Sequence, residues 1–327
     1  MYVVTALRFN MTGIHDASAD HVQRYRAAVE MAEYADQCGL TCVSCEEHHL
    51  SATGWLPSPL VLAAALAART RAITIAIGAL IVPLHDPIRL AEDIAVLDNL
   101  APGRLSVIAG IGYRPEEYAA AARDWARRGK LMDENLEVMR AAWGEQPFEY
   151  RGETITVTPK PHTRPHPLLF IGGGSAAAAK RAARFGLPFS PAVHSPFLAT
   201  LYHEELKRHG RNGFVHMPLP NTSVVLLHRE PDRAWTTLGP FILNEIREYS
   251  AWGRPEVARP NEAAALSVEH LRTLNYVEIL TPEELRDQIA GGRTQIVMNP
   301  LIGGIPLEDG WASLRMLCDE VLAKVGG

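Results

Sequence analysis

Two acids and two imidazoles, Glu46-Glu47-His48-His49, follow the β-branched run Thr41–Cys45. Such side chains are costly to desolvate and add little to packing, so four in a row at the exit of a buried strand indicate chemistry. Barrel enzymes keep their catalytic groups at strand ends of this kind. Because imidazole exchanges protons near neutral pH, we predict that His48 is catalytic. His49 alternates to the other side of an extended chain, and we assign it a structural role.

A glycine-rich turn further along the chain is suited to bind an anion. The segment Ile171-Gly172-Gly173-Gly174-Ser175 leads from a predicted strand into a predicted helix. Backbone N–H groups of such a turn, together with the helix N-terminus, favour a phosphate. The spacing also fits a dinucleotide fingerprint, but residues 191–195 lack the acid that a Rossmann site needs. We therefore predict a phosphate cradle at Gly172, Gly173, Gly174 and Ser175.

Other glycines interrupt or end predicted strands. Gly78-Ala79 lies inside a strand, where glycine is unfavourable, and this predicts a bulge or a close backbone approach. Gly110 ends the next strand, where it either shapes the turn or admits a flat ring against the backbone. Three aromatic residues near these strand ends, Phe9, Trp55 and Tyr113, are predicted pocket walls, with the core as their alternative place.

The composition excludes several classes of protein. With 327 residues, 47% hydrophobic content and a net charge of −5, the chain offers no basic stripe for a nucleic acid. The N-terminus lacks a charged leader, and the longest uncharged apolar stretch, residues 72–84, is too short to span a bilayer. We expect a cytoplasmic protein with no membrane partner. Its four cysteines lack paired Cys-x-x-Cys motifs, which predicts free thiols.

Eight strand-like segments alternate with eight helical ones, which is the count of a TIM (β/α)₈ barrel. We expect a single α/β domain over residues 1–327, with a hairpin turning at Arg151-Gly152 and an insertion at about 251–292 before the last strand. A doubly wound sheet is the less favoured prediction, because no phosphate loop follows the first strand. The predicted strands are Tyr2–Phe9, Thr41–Glu46, Ile73–Val82, Arg104–Ala109, Leu168–Ile171, Leu187–Pro191, Ser223–Leu227 and Gln295–Asn299. The predicted helices are Ala19–Gln37, Ser58–Ala68, Pro87–Leu100, Glu116–Trp143, Ala176–Phe185, Pro196–Arg208, Ala234–Tyr249 and Gly310–Lys324.

Taken in order, these segments resemble the bacterial luciferase-like, flavin-dependent monooxygenases. The resemblance covers about residues 5–186 and returns at 299–304. Each motif is weak alone, but the ordered set is specific. The matching motifs are Glu47-His48-His49, Ala67-Ala68-Arg69-Thr70, Pro83-x-x-x-Pro87 with Ala91-Glu92, Leu97-Asp98, Pro102-Gly103-Arg104, Arg181-x-Ala183-x-Phe185-Gly186 and Asn299-Pro300-Leu301-Ile302-Gly303-Gly304.

The resemblance implies a TIM barrel that binds FMN, or in some branches the deazaflavin coenzyme F-420, at the carboxyl ends of its strands. The active-site histidine of the family falls on His48, and its non-prolyl cis peptide beneath the isoalloxazine falls on Gly78-Ala79. The phosphate-contacting loop falls on Gly174-Ser175. A homodimer is also implied. Where luciferase has a reactive cysteine and a phosphate-binding arginine, this chain has Gly110 and Ile111. The phosphate must therefore rely on other donors.

The leading hypothesis is a two-component monooxygenase that uses reduced FMN from a separate flavin reductase, oxygen and a small organic substrate. A dehydrogenase that uses coenzyme F-420 on the same fold is the nearest alternative. A metal-dependent barrel hydrolase with His48, His49 and the glutamates as ligands is less favoured, because the chain has no His-x-His pair. A flavin-binding protein without turnover is the remaining alternative.

Overall fold

A computed structural model describes residues 3–13, 18–220, 223–252, 267–274 and 276–325. Parallel strands and helices alternate along most of the chain. The strands are β1 (Val4–Phe9), β2 (Cys42–Cys45), β3 (Thr74–Ile81), β4 (Leu105–Gly110), β5 (Phe148–Tyr150), β6 (Glu153–Ile155), β7 (Leu168–Gly172), β8 (Phe189–Ser190), β9 (Val224–Leu227), β10 (Val277–Leu280) and β11 (Gln295–Met298).

The helices are α1 (Ser18–Gln37), α2 (Pro59–Arg69), α3 (Pro87–Leu100), α4 (Pro115–Ala120), α5 (Arg128–Trp143), α6 (Ala176–Phe185), α7 (Pro196–Arg208), α8 (Pro231–Trp252), α9 (Val268–Thr273), α10 (Pro282–Ala290), α11 (Leu307–Arg315) and α12 (Ala323–Val325). Among the residues that the structure describes, no helix has the length and apolar composition needed to cross a membrane.

The chain divides into two compact units. The first comprises Met1–Pro57, Arg69–Thr74 and Asn221–Gly327, and the second comprises Ser58–Ala68 and Ile75–Pro220.

In the first unit the strands lie in the order β10-β9-β11-β1-β2, and all of them pair in parallel. Leu7 is in register with Val43 on one side and with Met298 on the other, and all three side chains are fully buried. Burial of one such side chain contributes about 1.5–3 kcal/mol. This apolar row fixes the register that brings the ends of β1, β2 and β11 to the same edge.

In the second unit the parallel order is β3-β4-β7-β8. Ile77 of β3, Val107 of β4 and Leu169 of β7 form a buried row across three strands. The predicted hairpin is confirmed, because β5 and β6 pair antiparallel around Arg151, which has a positive φ of 53°.

Helix starts follow the sequence closely. Asp86 and Ser195 accept first-turn N–H groups of α3 and α7, and each is followed by a proline. Thr281 and Glu284 form a capping box at the start of α10. These caps satisfy N–H groups that have no acceptor within the helix.

Three predicted elements differ from the structure. The helix predicted over Gly310–Lys324 contains a π-helical segment, Met316–Leu322, between α11 and α12. The predicted helix Glu116–Trp143 is broken, because Ala122 adopts a left-handed φ of 51° and Asp124 caps a short 3₁₀ turn at the Ala126 N–H (2.8 Å) before α5 begins. In the region predicted as an insertion, Val277–Leu280 forms strand β10 and pairs with β9. Residues 253–266 and 275 of that region lie outside the described residues.

Candidate active site

His48 lies in the loop that follows β2, and the main chain holds this loop in place. The His48 N–H donates to the Leu56 carbonyl (3.0 Å), and the Leu56 N–H donates to the Asn10 carbonyl (2.9 Å). The loop is therefore tied to itself and to the end of β1. Its histidine is half-buried, so the ring is partly screened from water but still reachable.

The rings of Trp55, Tyr249 and Trp252 surround the His48 ring, and together we call the four side chains the aromatic cluster. Trp55 meets His48 edge-on, with centroids 4.8 Å apart and planes at 84°. Tyr249 stacks on Trp55 at 5.5 Å, and the Trp252 centroid lies 5.5 Å from that of His48. Edge-to-face and offset contacts of this kind are favourable for aromatic pairs. The imidazole therefore lies in largely apolar surroundings.

Glu248 of α8 hydrogen-bonds the loop that carries Trp55. Its carboxylate accepts from Ser51 Oγ (2.8 Å), from Thr53 Oγ1 and from Trp55 Nε1 (3.0 Å). Thr53 Oγ1 also lies 2.9 Å from Thr12 Oγ1. One carboxylate thus fixes three positions of the loop.

A second carboxylate, that of Glu245, lies one helical turn earlier and is only 1% exposed. It accepts from Asn10 Nδ2 (2.8 Å) and from the Gly303 N–H (2.6 Å). Nearby, the Arg8 guanidinium donates to Glu46 Oε2 (2.8 Å). Buried polar groups that are hydrogen-bonded in this way rigidify their surroundings.

Burial raises the pKa of Glu245 to about 7, and repulsion from Glu46 adds to the shift. The Arg8 charge and the hydrogen bonds from Gly303 and Asn10 favour the charged form but do not outweigh burial. Glu245 therefore changes its protonation near neutral pH.

His49 points to a different partner from that of His48. Its Nε2 lies 3.0 Å from Oε1 of Glu47, a side chain with no exposed surface. The predicted structural role for His49 is in keeping with this pairing.

In the second unit, the predicted irregularity at Gly78-Ala79 is confirmed. The peptide bond between these residues is cis, and the register of β3 against β4 shifts between Gly78 and Leu80. Gly110 ends β4 close by: a Cβ added there would lie only 3.0 Å from the Ala79 Cβ. The absence of a side chain at Gly110 therefore keeps the surface beside Ala79 clear.

The predicted phosphate cradle follows β7 directly. Ala109 of β4 is in register with Ile171 of β7, so Gly110 and Gly172 are the next residues of neighbouring strands. Gly173 has a φ of +139°, which disfavours a side chain. Gly174 borders open space, since a Cβ added there would come no closer than 4.0 Å to the Ala192 Cβ. Ser175 caps α6 by accepting from the Ala178 N–H (3.3 Å).

This cradle fits a phosphate. Gly174 and Ser175 are exposed, and the first N–H groups of α6 have no acceptor within the helix. Ile111, by contrast, offers only its backbone to an anion, and its carbonyl already accepts from Tyr118 Oη (2.5 Å). The half-buried Tyr113 lies two residues further on.

Comparison with known proteins identifies the family of the chain. The family model for luciferase-like monooxygenases matches residues 2–298. The chain belongs to this family. The resemblance inferred from the sequence motifs is thereby confirmed.

Among curated relatives, the N-acetyl-S-alkylcysteine monooxygenase of Bacillus subtilis (strain 168) is 28% identical over 223 residues, 67% of this chain and 64% of that protein. The match spans 49–64% of the length of three such relatives.

Solved structures show the same fold over nearly the whole chain. Monooxygenase RslO1 from Streptomyces bottropensis has a TM-score of 0.74 at 23% identity, covering 98% of this chain and 99% of that one. The oxygenating constituent of 3,6-diketocamphane monooxygenase from Pseudomonas putida, in complex with FMN, has a TM-score of 0.68 at 17% identity, with 99% of each chain covered. A secondary alcohol dehydrogenase in complex with an adduct of coenzyme F-420 and acetone has a TM-score of 0.67 at 18% identity, again with 99% of each chain covered. The predicted luciferase-like (β/α)₈ fold class is confirmed.

The structure brings some of the predicted site residues together, whereas one predicted pocket wall, Phe9, is buried in the core. In the first unit His48 contacts Trp55, whereas Phe9 has no exposed surface. In the second unit β3, β4 and β7 gather the predicted cofactor-binding residues, which are Gly78, Ala79, Gly110, Ile111, Gly172, Gly173, Gly174 and Ser175.

The contribution of α8 was not predicted from the sequence. Glu248, Tyr249 and Trp252 lie three, four and seven residues after Glu245, so the four residues share one face of the helix. The available signal was the stripe of Glu245, Glu248 and Tyr249 at the end of the predicted helix Ala234–Tyr249.

The raised pKa of Glu245 predicts a pH-dependent stability. The folded chain binds this proton more tightly than the unfolded chain does, whose carboxyl titrates near 4.5. The stabilisation is therefore complete below about pH 4.5 and is lost as the pH rises through 7. We expect Glu245→Gln to remove this loss, so that its free energy of unfolding, relative to the wild type, increases by about 2–3 kcal/mol between pH 5 and pH 8.

Denaturant unfolding at four pH values measures this difference. Glu283→Gln, at an exposed position of α10, is the matched control. Its free energy of unfolding should depend on pH as that of the wild type does. If the free energy of unfolding of Glu245→Gln depended on pH as that of the wild type does, the pKa of Glu245 would not be raised in the folded protein.

Proposed function

We propose that this protein is a flavin-dependent monooxygenase that uses FMN, reduced by a separate reductase, to transfer oxygen to a small organic substrate. The observation that carries the proposal is the placement of His48 within the aromatic cluster at the carboxyl end of β2, in a chain of the luciferase-like family. We further propose that it acts as a homodimer, as its family resemblance implies.

The residues that would hold the flavin lie in the second unit. Gly174, Ser175 and the first turn of α6 would bind its phosphate, and the bare backbone at Gly110 beside Ala79 would admit a flat ring. When bound, a reduced flavin supplies the electrons that activate oxygen. The protein contributes binding, orientation and exclusion of water.

His48 would supply the proton chemistry. Its backbone N–H is fixed by Leu56, and its ring is fixed by Trp55 and Trp252. An imidazole held in this way donates or accepts a proton at one of its ring nitrogens with little reorganisation. The surrounding rings partly screen the imidazole from bulk water.

One experiment tests the function as a whole. The purified protein is titrated with FMN and with coenzyme F-420, and the bound cofactor is followed by its fluorescence. Reduced FMN is then supplied with ¹⁸O-labelled oxygen and two probes, N-acetyl-S-methylcysteine and 3,6-diketocamphane. Incorporation of label into either probe supports the proposal. Tight binding of coenzyme F-420 with none of FMN, together with alcohol oxidation and no label, would instead establish the dehydrogenase.

The role of His48 predicts a specific loss. We expect His48→Asn to fold and to bind FMN much as the wild type does, but to lower the chemical step by roughly 10²–10⁴-fold, the usual contribution of a positioned acid or base. Stopped-flow single turnovers with the labelled probe measure that step. His209→Asn, at an exposed position after α7, is the control. Turnover of His48→Asn within threefold of wild type would remove His48 from the chemistry.

Ile111 predicts the strength of cofactor binding. Without an arginine at this position we expect the protein to purify largely free of flavin and to bind FMN in the micromolar range. Ile111→Arg should tighten FMN binding by about ten- to a hundredfold and leave riboflavin binding unchanged, because a guanidinium contact with phosphate is charge-assisted and only FMN carries the phosphate.

Fluorescence titration of both ligands measures both constants. Thr200→Arg, which adds the same charge at an exposed position of α7, controls for general attraction. Equal strengthening of FMN and riboflavin, or of neither, would place the phosphate elsewhere.

A further inference from the structure

The carboxylate of Glu248, on α8, hydrogen-bonds the loop that follows β2 and carries Trp55. Its three hydrogen bonds all come from one short loop: from Ser51, Thr53 and Trp55. A carboxylate has room for about four such donors, so this one is nearly saturated by the loop. The loop is therefore fastened to α8 at alternate residues along its length.

Trp55 links this fastening to the histidine. Its side chain is only 3% exposed, and its single donor, Nε1–H, is used on Glu248 at 3.0 Å. The same indole meets the His48 ring edge-on, with ring centroids 4.8 Å apart. A rotation of the indole that broke the first contact would also change the second.

The residue after Glu248 holds the indole from another direction. Tyr249 stacks on Trp55 with an interplanar angle of 22°, and its centroid lies 6.0 Å from that of His48. Glu248 thus fixes the edge of the indole by a hydrogen bond while Tyr249 fixes its face. One turn of α8 determines where the indole lies, and the indole limits where the imidazole lies.

We infer that Glu248 is a positioning residue, which sets the orientation of His48 through the Trp55 indole. The inference rests on the proposed catalytic role of His48 where activity is measured, but the orientation of the ring is observable without turnover. Rigid placement matters because small displacements of a catalytic group lower rates steeply.

The test uses a set of matched variants of the full chain. Glu248→Ala removes all three acceptor contacts, whereas Glu248→Gln keeps an amide oxygen for the indole N–H. Trp55→Phe keeps an aromatic ring but removes the N–H. Glu204→Ala, at an exposed position of α7, is the control. Because Glu248→Gln and Trp55→Phe are conservative, they keep the test decisive if Glu248→Ala does not fold.

The first measurement is NMR of the His48 ring, assigned by its loss in His48→Asn. We expect the His48 signal to move in Glu248→Ala and in Trp55→Phe, to return to its wild-type position in Glu248→Gln, and to stay in place in Glu204→Ala. An unmoved signal in Glu248→Ala, or an equal displacement in Glu248→Gln, would overturn the inference.

The second measurement is kcat and KM with whichever labelled probe is oxidised. Glu248→Ala should lower kcat by roughly 10- to 100-fold with KM for FMN unchanged, and Glu248→Gln should recover most of that loss. The double variant Glu248→Ala/Trp55→Phe should be no slower than the slower single variant, since each single variant already loses the contact between Glu248 and Trp55. Additive losses would overturn the inference.

The two proposals fail in different ways. A His48 signal that moves as expected, in a protein that oxidises neither probe, leaves the positioning intact and contradicts the proposed function. If labelled product forms but the His48 signal does not move when Glu248 is replaced, the proposed function stands and the positioning role of Glu248 is contradicted.

Discussion

The buried carboxylate of Glu245 joins the end of β1 to the segment after β11, and the first unit depends on this junction. Asn10 Nδ2 and the Gly303 N–H both donate to it, and it lies almost entirely out of water. Removing such an acceptor would leave two buried donors without a partner, which costs about 1–3 kcal/mol for each. The carboxylate also fixes α8 against the strand ends, and the hydrogen bonds that Glu248 accepts one turn further on follow from that placement.

Once α8 is fixed, its next turn determines the surroundings of His48. Glu248 and Tyr249 hold the loop and indole of Trp55, and Trp55 packs against the imidazole. Two turns of α8 therefore provide two different environments: a buried carboxylate at Glu245 and apolar rings around His48. Because burial raises the pKa of Glu245 to about 7, the junction itself responds to pH.

In the second unit the candidate site is formed by glycines, which leave the backbone without side chains. Gly110 and Gly172 end adjacent strands, and the exposed turn at Gly174 and Ser175 opens α6. Side chains at these two glycine strand ends would crowd Ala79 or Ile108. Rigid strands therefore present bare backbone where a planar ring or a phosphate could approach.

The sequence by itself determined the alternation of strands and helices, most helix starts and the family, because these follow from local periodicity, capping and ordered motifs. It also singled out His48, Gly78-Ala79 and the turn at Gly172–Ser175, since each breaks a local rule of its element. Only the tertiary structure decided that α8 supplies Glu245, which bonds Asn10, 235 residues away in the chain, and Glu248, which bonds Trp55, 193 residues away. The same holds for the edge strand β10 and for the break before α5. Contacts across such separations depend on how packed elements meet, and no local pattern encodes that.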